Sequence, residues 1–459
     1  MAVLAAVGAV AGSARADRAA AERAAAEAER TKDPAAFVAC GQAFLDTYNV
    51  DPTADRNDEV LFNAGRCFEE GRAISAALQM HALVIKSFPN SKLVAKSTAL
   101  SGRMYEQIAM FDRAAERYES YATRYAGEKD AADTLANAIR LRAALGDTAK
   151  QIADTKLWIR MYGAKNKRAA ARADYALLDA FDGDAAIAHV RAYLKDYGAE
   201  DPDLTIAAHV ALADRLRTKS CPVRAIDGLC LKVVAVKGPH CGAGATNLVA
   251  VTRSAENREA RAEYASAVAL ADVAKDPAAR HAQAMARLAL ADDDLETMLA
   301  LPFPRDLDVM KKDGQKRFSQ WLDAETKLGG KLTNAYSAVV MQKDATSSVA
   351  AAARISRVSQ VFWRALMLGE LPKAMRVEPQ HTAYCDAMKT VADPLRARAI
   401  EAASVCIEKA IELQAGHDWA EVCRRDGAAL DPDAFIPVSE LHGAPSEVAA
   451  PIATEPPTE

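Results

Sequence analysis

Four short stretches, "IKSFPN", "RYAG", "RMYGA" and "KDYGA", each end an apolar-periodic run with an aromatic residue followed by a small residue or proline. The aromatics are Phe88, Tyr125, Tyr162 and Tyr197, which stand 37, 37 and 35 residues apart. A fixed period of this size marks a chain that stacks one small structural unit on the next, so that neighbouring units bury a face none could bury alone. The period therefore constrains the fold more than any single residue does.

Residues before each aromatic recur at helical spacing: Ala114, Tyr118, Tyr121 and Tyr125 share one face, and Ala186, Val190, Tyr193 and Tyr197 another. Upstream lie the first helices of each pair. "EVLFNAGRCFEEG" carries Leu61, Gly65 and Phe68, and "STALSGRMYEQI" carries Thr98, Gly102 and Tyr105. A glycine between larger residues lets paired helices approach closely, and Ala77 and Ala114 serve the same end from the partner helix. The pattern decays in the third unit, where Arg142 replaces an aromatic and Gln151 an alanine. An earlier unit ends at Tyr48, forty residues before Phe88, with its first helix expected over residues 17–30.

Composition supports helices. Hydrophobic residues are 51% of the 459, yet aromatics are only 6%, so much of that fraction is alanine, which favours helix while burying little area. The 58 basic and 62 acidic residues nearly balance, which argues against a nucleic-acid partner. The cluster "KKDGQKR", residues 311–317, reads as a solvated face.

Residues 2–12 form an uncharged apolar run and Ala14-Arg15-Ala16 follows it, as in an export signal whose basic start is missing. Residues 1–16 are read as that signal, with the start placed downstream of the true one; the alternative is that the run forms the first turns of an alanine-rich helix. No transmembrane helix is expected. Eight cysteines, an even number, fit an oxidising compartment.

Helical text stops at "TKSCPVRAIDGLCLKVVAVKGPHCGAGATNLVAVTRS". Two β-branched runs, 229–236 and 248–252, flank a glycine- and proline-containing link, which predicts a hairpin within 220–254 as the chain's sheet. Taken as zinc ligands, Cys221, Cys230, His240 and Cys241 lack the tight cysteine pairs of structural sites. A disulfide, with the third cysteine pairing elsewhere, is the preferred reading. Cys40 with Cys67 and Cys406 with Cys423 are further candidate pairs. Pro302, Pro304, Pro372 and Pro379 mark helix boundaries in the C-terminal half, and the proline-rich, acidic end is expected to be disordered.

No P-loop, nucleophile elbow, zincin or dinucleotide motif is present. His81 and His189 fall on second helices, where a packing or surface role is expected. Asp292, Asp293 and Asp294 in "ADDDLE" would point in different directions on a helix and read as its first turn.

The glycine, alanine, aromatic and proline pattern from 57 to 127 resembles the tetratricopeptide repeat, whose usual period is about 34 residues. Together with the export-like start, the "CP…DGLC…CG" segment and "WAEVCRRDGAALDPDAFIPVSELHGAP", the chain looks like periplasmic tetratricopeptide proteins of Gram-negative bacteria, including those of envelope assembly and gliding motility. The expected fold is all-α: a tetratricopeptide-like helical-hairpin solenoid (17–215) after the signal (1–16), a cysteine-bearing hairpin insert (216–254), a helical domain (255–442) and a tail (443–459). The resemblance implies a non-catalytic envelope scaffold without cofactor or metal, binding other envelope proteins or peptides in a groove around Asn63, Arg66, Arg103 and Glu106. A hydrolase or other enzyme with an unrecognised site in the C-terminal helical half is the alternative.

Overall fold

The computed structural model describes residues 18–305, 307–308 and 311–436. The expected signal (1–16) and tail (443–459) lie outside the described residues. Two compact units divide the chain, one ending at Asp182 and the other beginning at Gly183.

The first unit is a run of helices: α1 (18–31), α2 (Pro34–Val50), α3 (Asn57–Glu70), α4 (Ile74–Ser87), α5 (Leu93–Gln107), α6 (Phe111–Arg124), α7 (Ala131–Ala144), α8 (Thr148–Tyr162) and α9 (Lys167–Tyr175). Consecutive helices from α2 to α9 touch, and α3 also meets α5, which is the stacking expected of repeated hairpins. A core of Phe37, Phe44, Leu61, Phe68, Val84 and Met104 joins the first pairs. Cys40 of α2 is disulfide-bonded to Cys67 of α3.

The 37-residue register can be followed atom by atom. A Cβ on Gly65 would stand 2.8 Å from the His81 ring, and one on Gly102 would stand 2.4 Å from Tyr118. His81 and Tyr118 are 37 residues apart, as are the two glycines, so each glycine makes room for the ring of its own second helix. In the third pair the same register gives Ile139 and Thr155. Bulk has moved from the second helix to the first, and Thr155 is 1% exposed. The glycine and the aromatic vanish together because each exists to accommodate the other.

The turns inside the pairs keep the register too. Arg72, Ala109 and Gly146, again 37 apart, all adopt left-handed backbone. Each is followed by an amide that bonds back to the preceding helix: Ala73 to Phe68, Met110 to Tyr105 and Asp147 to Arg142, at 2.8–2.9 Å. This is the helix-ending motif in which a left-handed residue closes the last turn. Arg142 itself is buried and holds Glu119 at 2.6 Å and Asp147 at 3.6 Å, so a charged network replaces the aromatic of earlier units.

The second unit contains α10 (Gly183–Tyr197), α11 (Pro202–Ser220), β1 (Leu231–Ala235), β2 (Thr246–Ala250), α12 (Glu256–Ala269), α13 (Pro277–Ala300), α14 (Lys312–Val340), α15 (Ala345–Met367), α16 (Gln380–Leu413) and α17 (His417–Ala428). Helix α15 touches α13, α14, α16 and α17 and so forms the centre of this unit. The strands pair antiparallel with Val233 opposite Leu248, in the expected segment. Disulfides Cys221–Cys230, Cys241–Cys385 and Cys406–Cys423 brace it. The proline-marked breaks fall between α13 and α14 and between α15 and α16.

One expectation is overturned. Asp292, Asp293 and Asp294 lie deep in α13, not in its first turn, which begins at Pro277 after the Asp276 cap. Three consecutive carboxylates in mid-helix are tolerated because each meets its own cation: Arg354, Arg217 and Lys331 respectively.

Candidate functional site

The two stretches that carried the resemblance, "DGLC" and "WAEVCRRDG", meet in space. Asp227 and Gly228 both have left-handed backbone, φ 52° and 80°, and Ile226 and Leu229 exchange two backbone hydrogen bonds of 2.9 and 3.0 Å. Two left-handed residues in succession make the tight turn for which Asp-Gly is favoured. The Asp227 carboxylate accepts from Arg357 at 3.0 Å and from Arg425, while its carbonyl accepts from Arg354 at 2.5 Å. Three arginines from α15 and α17 thus grip one turn.

Each of those arginines has further partners. Arg354 makes a two-pronged bond to Asp292, Nε to Oδ1 at 2.8 Å and Nη2 to Oδ2 at 2.9 Å, and its guanidinium lies 4.8 Å from the centre of the Trp419 ring. Tyr336 donates to the same Asp292 at 2.8 Å. Arg357 bonds Asp426 at 2.7 Å, and Gln360 donates to the Asp426 carbonyl. Also on α13, Arg217 bonds Asp293, Arg253 holds Glu296 at 2.7 and 2.8 Å, and Glu296 also accepts the Cys230 amide at 2.8 Å. The result is a cage of paired charges in which Arg354 and Arg357 are only 1% and 2% exposed.

Burial and pairing compete at these groups. For Asp227 burial raises the carboxyl pKa, but Arg425 and Arg357 outweigh it and leave it below the usual value. For Arg354 and Arg217 burial disfavours the charge, yet Asp292 and Asp293 overcome it and raise both. Tyr336 is pushed far up, first by burial and then by Asp292.

Beside the cage opens a cleft of about 450 Å³, lined by Asp214, Arg217, Asp227, His281, Arg354 and Trp419 among others. Its polar groups are engaged: Tyr264 donates to Asp214 at 2.5 Å within the cleft, and His281 meets Asp344, outside the lining, at 3.0 Å. Burial raises the Asp214 pKa, and the phenol bond from Tyr264 only partly offsets it.

The expected groove residues lie in the first unit. Asn63 and Arg66 on α3 are half-exposed, and Arg103 and Glu106 on α5 are exposed. Arg66 and Arg103 both reach Glu69, at 3.4 and 3.7 Å, and Glu106 accepts from Tyr118 at 2.7 Å. A third arginine continues the row: Arg140 on α7 is exposed, bonds Asn137 at 2.5 Å, and lies 37 residues after Arg103 as Arg103 lies 37 after Arg66. Its periodic position could have revealed it in the sequence.

The suggested zinc set is not assembled, because Cys221 bonds Cys230 while Cys241 bonds Cys385. Cys385 escaped notice because it stands in the second turn of α16, 144 residues from its partner. Arg354 and Arg357 escaped too, although Ala350, Arg354, Val358 and Val361 follow one helical stripe.

No family model matches the chain, and no curated protein does. Solved structures that match over most of their length include the APC/C hetero-tetramer Cut9–Hcn1 (11% identity, 91% of this chain and 91% of that chain, TM-score 0.21). Others are a circular tandem repeat protein with novel repeat topology (12%, 92% and 90%, TM-score 0.18) and Naa15/Naa10 bound to HypK-THB (11%, 91% and 86%, TM-score 0.17). Likeness at these TM-scores carries no argument, and the helical-hairpin fold rests on this chain's own helices and register.

Proposed function

We propose that this chain is a non-catalytic protein–protein interaction scaffold of the bacterial cell envelope, which binds an extended segment of another envelope protein along the first helices of its N-terminal unit. The observation that carries the reading is the arginine row Arg66, Arg103 and Arg140, repeated in register with the packing residues but turned away from them. A core position needs the repeat in order to pack. An exposed position repeats without that need, and a segment running across the stacked helices supplies another. The guanidinium fork suits carboxylates and backbone carbonyls, so an acidic or carboxylate-ended segment is favoured. The Arg66–Glu70 pair is no obstacle, since an exposed ion pair is worth about 0–1 kcal/mol. Four disulfides fit an oxidising compartment such as the periplasm, and among the described residues no helix is long and apolar enough to cross a membrane.

Replacing Arg66 and Arg103 together by glutamate is expected to leave helicity nearly unchanged, to lower the melting temperature modestly because the largely buried Glu69 loses both its cations, and to abolish partner recovery in a crosslinking pulldown. Identical partner sets for parent and double variant would remove this groove from consideration.

A further inference from the structure

The arginines of the cage hold carboxylates, whereas Arg224, in the loop that the cage anchors, is exposed and has no hydrogen-bond or ion-pair partner among the described residues. It stands within Pro222-Val223-Arg224-Ala225, four consecutive exposed residues. The Cys221–Cys230 disulfide closes this loop over a separation of nine residues. Its far end is fixed as firmly: the Ile226–Leu229 backbone bonds hold the turn, and Arg357 and Arg425 hold Asp227. One long cation is therefore displayed on a pre-ordered loop whose neighbours are proline, valine and alanine, side chains short enough to let another protein approach the backbone.

We infer that this loop is a ligand for a serine protease of trypsin-like specificity, with Arg224 entering the acidic specificity pocket, and that it inhibits such an enzyme. An acid at the base of a narrow pocket is the complement of a lone extended guanidinium. A loop already ordered by a disulfide loses little conformational entropy on docking. The same constraint blocks turnover. When the serine oxygen adds to the Arg224 carbonyl carbon, the bond to the Ala225 nitrogen breaks, and Ala225 leaves as an amine carrying the serine proton. Disulfide and cage keep that amine beside the acyl-enzyme at high effective concentration, so it attacks the ester, returns the proton to the serine and re-forms the peptide bond. An unconstrained loop would lose the amine, and water would complete hydrolysis.

The test incubates the full chain with trypsin and follows residual cleavage of a small arginyl anilide. Saturable competitive inhibition is expected, weakened roughly 100-fold or more by Arg224→Ala, as for truncation of an interface anchor, and retained by Arg224→Lys. Asp227→Asn, which loosens the anchor but keeps Arg224, is expected to give inhibition that fades as the 224–225 bond is cut. Uninhibited trypsin in excess chain would overturn the proposal. So would equal inhibition by the Arg224→Ala chain, or an Asp227→Asn chain that inhibits as durably as the parent.

Discussion

Replacing Arg354 by methionine is expected to lower the stability of the second unit by about 3–5 kcal/mol, the range for removing one partner of a buried ion pair. Arg354 is 1% exposed and Asp292 4%. Its loss would strand the Asp292 carboxylate with only the Tyr336 phenol, remove the bond to the Asp227 carbonyl, and leave Trp419 without its stacked cation. The effect comes from the orphaned charge more than from the lost attraction. Accordingly, the double change Arg354→Met with Asp292→Leu is expected to recover much of the loss, since apolar replacement of a whole buried pair is often neutral or better. Arg261 supplies the contrast. It bonds Asp293 at 2.8 Å, but its side chain is half-exposed, and removing it should cost no more than about 1 kcal/mol. Urea unfolding followed by tryptophan fluorescence compares the three variants. Equal losses for Arg354→Met and Arg261→Met would contradict the cage as described.

Changing Glu325 to glutamine is expected to stabilise the second unit at alkaline pH and to do almost nothing in acid. Glu325 on α14 is 1% exposed, and its Oε2 has no hydrogen-bond partner. Burial alone raises its pKa from 4.5 to about 7. A carboxyl whose folded pKa lies above its unfolded one keeps its proton longer in the folded state, so stability falls as pH climbs between the two values and levels off above about 7. That gap corresponds to roughly 3 kcal/mol. Glutamine keeps the shape and cannot ionise. Parent and variant should match near pH 4, diverge through pH 5–7, and differ by about 3 kcal/mol near pH 8, as read from denaturation curves at each pH. Subtracting parent from variant isolates this group from Asp154 of the first unit, whose pKa is also raised to about 7, by burial and by Glu119. A constant difference across the range would show that Glu325 is already paired or hydrated.

What the sequence makes legible follows from the distance over which each interaction acts. Gly65, Gly102, Ala77 and Ala114 declare themselves because the helices they separate are neighbours in the chain. The third repeat was obscured because Ile139 and Thr155 exchange the usual sizes and so erase both halves of the motif at once. Turn residues Arg72 and Ala109 gave no sign of left-handed backbone, which only Gly146 of that series advertises. Asp292 to Asp294 looked like a helix start because acids favour first turns. Yet Leu288, Asp292, Leu295 and Leu299 share a stripe, and an aspartate on an apolar stripe needs a buried cation. That cation, Arg354, lies 62 residues away, and Arg425 lies 198 residues from Asp227. No periodicity connects such partners, so the cage was readable only as two unexplained phrases.

A photo-crosslinking amino acid at position 103 on first helix α5, and separately at the exposed position 116 on second helix α6, tests the scaffold reading most directly. A discrete partner adduct is expected from position 103 and none from 116, with the position-103 adduct lost when Arg66 and Arg140 are glutamate. Adducts of equal yield from both positions, or from 116 alone, would contradict the scaffold reading.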